Sequence, residues 1–269
     1  MTSQTAKTTI YMSPYNHSDV GLYDGAANWT VYTPGELSQS LAGLAANSNF
    51  DLFAWYDGTN VVLKLSSAWA SNTARTDALT QQNGAWVNNA AIGSMGAKKG
   101  LYLGTFRTTG TTGQCEDSDN KRFVWSYYNQ VLTACLTWDT TDSWTTTSST
   151  WAAMNGGNSA WKHEFVCGMN EMPVRTELLA TVADRAAMAF AVDGTDLDRV
   201  KTGIMWTNSL ALAQVMSILA YLGLGYHYVQ ALQATFQGGY VATWFGDNTA
   251  VFGSGTTPAN SGMNSLWMR

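Results

Sequence analysis

The chain has 269 residues, with 14 Lys+Arg against 19 Asp+Glu, a net charge of −5, and charged residues making up 12% of it, against about 25% in an average soluble domain. The longest basic runs, Lys98-Lys99 and Lys121-Arg122, give no footprint for a nucleic-acid backbone, and no apolar run approaches the ~18 residues of a membrane span. With 45% hydrophobic residues and 12 Trp the chain can bury a large core, which excludes disorder.

The polar surface is made of hydroxyls and amides, since 33 Thr, 21 Ser, 18 Asn and 25 Gly form over a third of the chain. The N-terminal MTSQTAKTTI lacks the apolar core of a signal peptide, so synthesis as a soluble cytoplasmic chain is expected. In chain order, Tyr23-Asp24-Gly25 and Tyr56-Asp57-Gly58 read as two hairpin turns of one N-terminal unit. Between them Thr33-Pro34, followed by Leu37 and Leu41, offers an N-cap, a proline at the first helical position and an i, i+4 apolar pair, which predicts one or two helical turns. Arg75 to Gln82 predicts another short turn, and Asn83-Gly84 a hairpin.

Past residue 130 the apolar period is close to two. In Val131 to Trp138, the residues Leu132, Ala134, Leu136 and Trp138 share one face and threonines dominate the other, the pattern of a half-buried strand. Thr140 to Thr150, bracketed by Trp138, Trp144 and Trp151, reads as a Thr-rich hairpin. Val174 to Val182 alternates in the same way and Gly225 to Leu232, rich in β-branched and aromatic residues, more weakly, with turns at Asp193-Gly194 and Gly238-Gly239. Asn208 to Gly223 is rich in Ala, Leu and Met, and its periodicity does not separate helix from buried strand; the surrounding strands favour the latter. Together these elements predict an all-β fold, with a β-rich N-terminal docking domain over 1–130 and a short-stranded, jelly-roll-like β-sandwich over 131–269.

Catalytic signatures are lacking. No nucleophile elbow, phosphate-binding loop, dinucleotide fingerprint or His-Glu-x-x-His pattern occurs, and His17, His163 and His227 are isolated. Cys115, Cys135 and Cys167, odd in number and far apart, read as reduced structural thiols. The Asp193, Asp196, Asp198 spacing is calcium-loop-like, but the twelfth position is Ile204, where a bidentate Glu is required. Glu116, Asp117 and Asp119 form a second acidic cluster that reads as a turn. No catalytic, cofactor or metal site is therefore expected. Trp144, Trp151 and Trp161 flank polar stretches and are candidate aromatics for a subunit interface or a glycan contact, beside the alternative that they are core.

Residues Leu101 to Ser118 (LYLGTFRTTGTTGQCEDS) and Lys121 to Val131 (KRFVWSYYNQV) resemble a segment of pattern YLGT-RTT-TEDS-KRFVWNYYN-V found in virion structural proteins of tailed bacteriophages. Similar stretches extend upstream (Ile10 to Tyr15, Asp51 to Ala54) and downstream (Phe165 to Gly168, Trp244 to Asp247), covering nearly the whole chain. Cys115, Ser126 and Leu132-Thr133 depart from that pattern, which has Thr, Asn and Pro-Arg there. The resemblance implies a particle component, with no catalytic or cofactor residue to carry over, in a family whose β modules serve as fibre tips, tail knobs and head decorations. With the period-two pattern and the uncharged polar surface, the leading expectation is a non-enzymatic protein of the virion exterior associated with a tail or fibre. It would dock on the tail or capsid scaffold and touch a host surface glycan, in repeated copies of closed symmetry, a trimer in the case of a fibre. A capsid decoration or head-fibre protein is the alternative within that reading. A surface-polysaccharide depolymerase, built on a carboxylate pair, is the alternative from another class.

Overall fold

The computed structural model describes residues 3–170, 172–183, 185–195, 205–207, 212–247 and 261–268. These residues are all-β: no α-helix occurs among them, and short 3-10 turns cover Met154–Gly157 and Ser159–Trp161. The first half of the chain holds β1 (Gln4–Lys7), β2 (Thr9–Met12), β3 (Val20–Tyr23), β4 (Trp29–Tyr32), β5 (Leu37–Ser40), β6 (Asn49–Tyr56), β7 (Val61–Leu65), β8 (Leu79–Gln82), β9 (Ala85–Asn88), β10 (Leu101–Arg107), β11 (Cys115–Asp117), β12 (Lys121–Arg122) and β13 (Val124–Ser126). The second half holds β14 (Leu132–Trp138), β15 (Ser143–Thr146), β16 (Ala152–Ala153), β17 (Lys162–Cys167), β18 (Met172–Ala183), β19 (Ala186–Val192), β20 (Met205–Thr207), β21 (Leu212–Leu222), β22 (Gly225–Thr235), β23 (Ala242–Phe245) and β24 (Gly262–Met268).

Three sheets carry most of these strands. One runs β1-β11-β12-β17-β22-β19-β20, with β16 also on β22; a second runs β7-β6-β10-β9-β8, with β13 also on β10; the third runs β14-β24-β18-β23-β15, with β21 also on β18. Hairpins form at the marked turns Asp24-Gly25, Asp57-Gly58 and Asn83-Gly84, whereas Gly238-Gly239 leads into β23, which pairs with β15 and β18 and not with β22, and the Thr-rich segment 140–150 does not close on itself as a hairpin. Asn83 and Gly84, at φ 52° and 87°, turn β8 into β9, and Gly58, at φ 106°, sits between β6 and β7, the positive angles that such tight turns require.

The main core gathers Phe53, Tyr102 and Trp125 from the second sheet, Phe165 and Phe190 from the first, and Leu178, Met263 and Trp267 from the third. The boundary drawn at residue 130 is thus bridged. Lys121 and Arg122 pair in parallel with Glu164 and Phe165, so the first sheet contains strands from both sides of it.

Two helical expectations are replaced. Leu37–Ser40 is a strand paired with β2, because its half-buried residues alternate with exposed ones and Leu41 is drawn into a cluster with Phe50 and Phe106. Leu79–Gln82 likewise joins β9, with turn structure only before it. Leu212–Leu222 is a strand, antiparallel to β18 over its whole length, as the surrounding strands favoured; residues 208–211 lie outside the described residues.

The largest departure concerns β14. The strand forms as expected, yet Thr133 and Cys135 are buried while Leu132, Ala134, Leu136 and Trp138 face solvent. The inward threonines are used. Thr137 Oγ1 donates to the Ala160 carbonyl at 2.7 Å and lies 2.8 Å from His163 Nε2. His163 Nδ1 is 2.7 Å from Ser265 Oγ, which is 2.8 Å from Thr176 Oγ1. A buried hydroxyl and imidazole chain holds the polar side of the strand inside, and the apolar side is left out.

Close approach fixes one glycine. A Cβ on Gly168, just after β17, would come within 2.3 Å of both the Tyr102 hydroxyl and the Trp125 ring, against walls that cannot recede. Gly168→Ala is expected to lower stability by about 2–3 kcal/mol in a denaturant titration. Gly238→Ala, where nothing lies within 4 Å, should leave it unchanged.

Candidate assembly surface

Asp51 and Arg75 form an ion pair in the interior, and Arg107 and Asp139 are held there by neutral partners. Arg75 donates from Nε to Asp51 Oδ2 at 2.7 Å and from Nη2 to the Gly168 carbonyl at 2.7 Å, while Thr105 Oγ1 donates to Asp51 Oδ1 at 2.6 Å. The guanidinium lies over the Trp69 ring at 4.6 Å. Burial pushes the Asp51 carboxyl above its ordinary range, against the pull of Arg75. This cluster joins the second sheet to the start of the β17–β18 connection. Arg107 donates to Asn49 Oδ1 at 2.9 Å and to Asn72 Oδ1 at 3.0 Å, and covers the Tyr226 ring at 3.9 Å. Asp139 accepts from Trp161 Nε1, from Asn155 Nδ2 at 2.7 Å and from the Thr141 amide at 2.9 Å, organising the loops around the 3-10 turns.

The acidic clusters singled out in the sequence are similarly occupied. Glu116 accepts from Lys121 Nζ at 3.0 Å, and Asp117 faces Arg122 Nη1 at 3.6 Å. Asp193 is bonded to His227 Nδ1 at 2.6 Å and accepts the Tyr228 amide at 2.9 Å, whereas Asp196 and Asp198 lie outside the described residues. No group of three His, Cys, Asp or Glu converges among the described residues. The cysteines are buried thiols, and burial pushes those of Cys115 and Cys167 up to about 12.

The three candidate tryptophans face inward to different degrees. Trp161 is fully buried, which removes it from any external contact. Trp144 is half-buried, donates to Gln233 Oε1 at 2.7 Å and stacks on Trp244 with 8° between the rings. Trp151 is half-buried against Ala189, Ala191 and Leu232. The Thr-rich segment expected as a hairpin contributes instead one strand, β15, paired with β23, which places Trp144 opposite Trp244.

The exposed apolar surface is elsewhere, on the outer face of the third sheet. Register places Ala134, Leu266, Arg175 and Leu219 in one row across β14, β24, β18 and β21. The next outward rows are Leu136, Asn264, Glu177, Ser217 and then Trp138, Gly262, Leu179, Val215. Leu132 is 65% exposed, Trp138 51%, Leu219 56% and Tyr221 74%. The Trp138 ring lies over Gly262, where a Cβ would stand 2.9 Å from it. In the middle, Arg175 Nη2 and Glu177 Oε1 pair at 2.6 Å. Bulky apolar side chains exposed in this number on one sheet face, on either side of a charged pair, mark an interaction site.

The sequence shows β14's apolar face, taken there as the buried side, and the strand β21, but not that Arg175, Glu177 and the outward side of β21 share one surface with it. The available signal was in β21: Val215, Leu219 and Tyr221 point out while Met216, Ile218, Ala220 and Leu222 point in. A strand apolar on both faces is one covered on both.

A cleft of about 710 Å³ lies beside β2, β3, β10 and β13. Its lining includes Tyr11, Trp29 and Tyr128 along with Asp19, Ser126 and Asn129.

No family model matches the chain, and no curated protein matches it. Among solved structures it is similar to one described as the structure of infectious bursal disease virus Gx strain, at 12% identity and a TM-score of 0.29, over 100% of this chain and 76% of that one. That likeness is too distant to define a common fold.

Proposed function

We propose that the chain is a non-enzymatic structural protein of a tailed-phage virion, carried on the particle exterior and associated with its tail or a fibre. The observation that carries the assembly part of this reading is the apolar outer face of the third sheet, where bulky side chains such as Leu132, Trp138 and Tyr221 stand in solvent although the strand pattern is that of residues meant to be covered. Two features of the chain support it. Its surface, poor in ions and rich in hydroxyls and amides, gives little like-charge repulsion between closely packed copies. The segment Leu101 to Val131 resembles virion structural proteins of tailed phages, and that resemblance is what points to a particle.

A host surface glycan is the small ligand this reading adds. The cleft beside β2 and β13, with aromatic rings next to carboxylate, hydroxyl and amide groups, has the mixture that sugars stack on and bond to; of the three candidate tryptophans, the fully buried Trp161 is out of reach of such a ligand. Mass spectrometry of purified particles tests the particle part, with the chain expected among the virion proteins. A chain that is missing from particles and monomeric at high concentration ends the reading. Immunogold labelling then separates tail from head: gold confined to the capsid selects a decoration protein.

A further inference from the structure

We propose that a second copy of this chain covers the outer face of β14, β24, β18 and β21, in a face-to-face dimer whose twofold axis lies in the interface and crosses the strands at the level of Thr176. The inference deepens the assembly reading above by naming the partner, and it rests on the exposed face described there.

The outer face is self-complementary. When two identical sheet faces meet, the twofold axis lies in the plane between them, and each residue meets the one mirrored across that axis. Cys135, Ser265, Thr176 and Ile218 form one transverse row whose side chains point inward. An axis above this row exchanges the outward rows on either side of it. Arg175 then meets Glu177 of the second copy, and Ala134 meets Leu136. Further out, Leu132 meets Trp138, and Tyr221 meets Val215. Apolar residues oppose apolar ones at these positions, Leu219 and Leu266 meet Ser217 and Asn264, and Arg175 and Glu177 are the two ionised side chains among the described residues of these rows.

Charge selects this axis over the other simple one. An axis running along β18 would set Arg175 over Arg175 and Glu177 over Glu177, and like charges in an interface are costly. The crossing axis produces an alternating square of four charges, in which each Arg175 lies between its own Glu177, at 2.6 Å within the chain, and that of the second copy. Twisted sheets pack face to face about 10 Å apart with strands within about 30° of alignment, which suits side chains of this size.

The area is sufficient for reversible association. Four strands about 4.8 Å apart and seven residues at about 3.3 Å give a plan of roughly 400 Å² per copy. The protruding Leu132, Trp138 and Tyr221 raise the accessible area above the plan, so two copies bury on the order of 1,000 Å², at the lower end of specific interfaces. Such a contact is weak alone and strengthened when many copies are held together.

The test uses the full chain and two charge reversals, Arg175→Glu and Glu177→Arg. Both side chains are exposed, so the fold should persist, which circular dichroism checks. In sedimentation equilibrium the wild-type chain is expected to dimerise. Each variant alone should dimerise about tenfold more weakly or worse, because like charges now face each other. An equimolar mixture of the two variants should recover dimers, since one chain presents two glutamates and the other two arginines. An ion pair confined within each chain predicts no such recovery.

The proposal is overturned by a wild-type chain monomeric at several hundred micromolar, by dimers indifferent to both reversals, or by a mixture no stronger than its components. Cross-linking from a cysteine placed at Leu136 to a different virion protein, with no self-cross-link, also overturns it. A dimer that behaves as expected in a chain missing from particles would instead strike the virion reading and leave this one standing.

Discussion

Replacing Arg75 by methionine is expected to cost about 3–5 kcal/mol of stability, which a urea titration of the variant against the parent chain measures. Asp51 is fully buried, and its carboxylate is held by Arg75 Nε at 2.7 Å and by the Thr105 hydroxyl at 2.6 Å. Removing the guanidinium leaves one hydroxyl against a buried charge, and also strips the Gly168 carbonyl of its donor at 2.7 Å. A buried pair is not itself strongly stabilising, because desolvation offsets its attraction; breaking one half is what costs. Hence the double variant Asp51→Leu, Arg75→Met should recover most of the loss. Without Arg75 the Asp51 carboxyl rises further above its ordinary value of 3.8, so the folded variant holds a proton that the unfolded chain has released. Its deficit relative to the parent should therefore shrink as pH falls toward 4. A single-variant loss below about 1 kcal/mol would show the cluster to be ornamental to the fold.

The second large effect is a loss of stability in mild acid carried by His163. Burial, with a smaller contribution from Arg122, lowers its pKa from 6.5 to about 3. A group whose folded pKa is depressed makes the unfolded state the better proton acceptor between the two values, so stability falls as pH falls through that window. At about 1.4 kcal/mol per unit, the loss is roughly 2 kcal/mol by pH 5 and roughly 5 kcal/mol by pH 3. The hydrogen bonds explain why the neutral form is preferred. The Thr137 hydroxyl donates to the Ala160 carbonyl, which leaves its oxygen to accept from His163 Nε2–H; Nδ1 then accepts from Ser265. Protonating Nδ1 would reverse the bonds to Ser265 and Thr176. His163→Gln is expected to flatten the slope of stability between pH 6.5 and 4.5, whatever it costs at neutral pH. Parallel curves for parent and variant across that window would refute the assignment. The exposed turns of Asp24, lowered to about 2 by three backbone amides, and of Asp57 act at lower pH, below the ordinary carboxylate value.

These two clusters show where sequence reading stops. Turns were legible because Asn83-Gly84 or Asp57-Gly58 carries its own backbone preference, and β18 was legible because alternation is local; β22, buried along most of its length, was marked by its aromatic and β-branched residues. Asp51, Arg75 and Gly168 lie 24 and 93 positions apart, and nothing in their neighbours announces that they meet. The short helix expected at Pro34 failed for a related reason: capping residues and an i, i+4 leucine pair are weak beside a neighbouring strand, β2, with unpaired backbone to offer. Strand β14 is the instructive case. Its two faces were read correctly as apolar and hydroxyl-rich, but alternation does not say which side belongs to the chain's own core. His163, Ser265 and Thr176 decide it, by giving the inward threonine a buried partner. The apolar face is then left for something outside the chain, and the site follows from a feature visible in the sequence with its direction reversed.

As a structural part of a particle with its third sheet covered, the chain is expected to appear in a side-chain-resolution map of intact particles as all-β density on the exterior, with Leu132, Trp138, Leu219 and Tyr221 buried against protein. A map with no such density, or one in which the chain is present and that face is open to solvent, would contradict it.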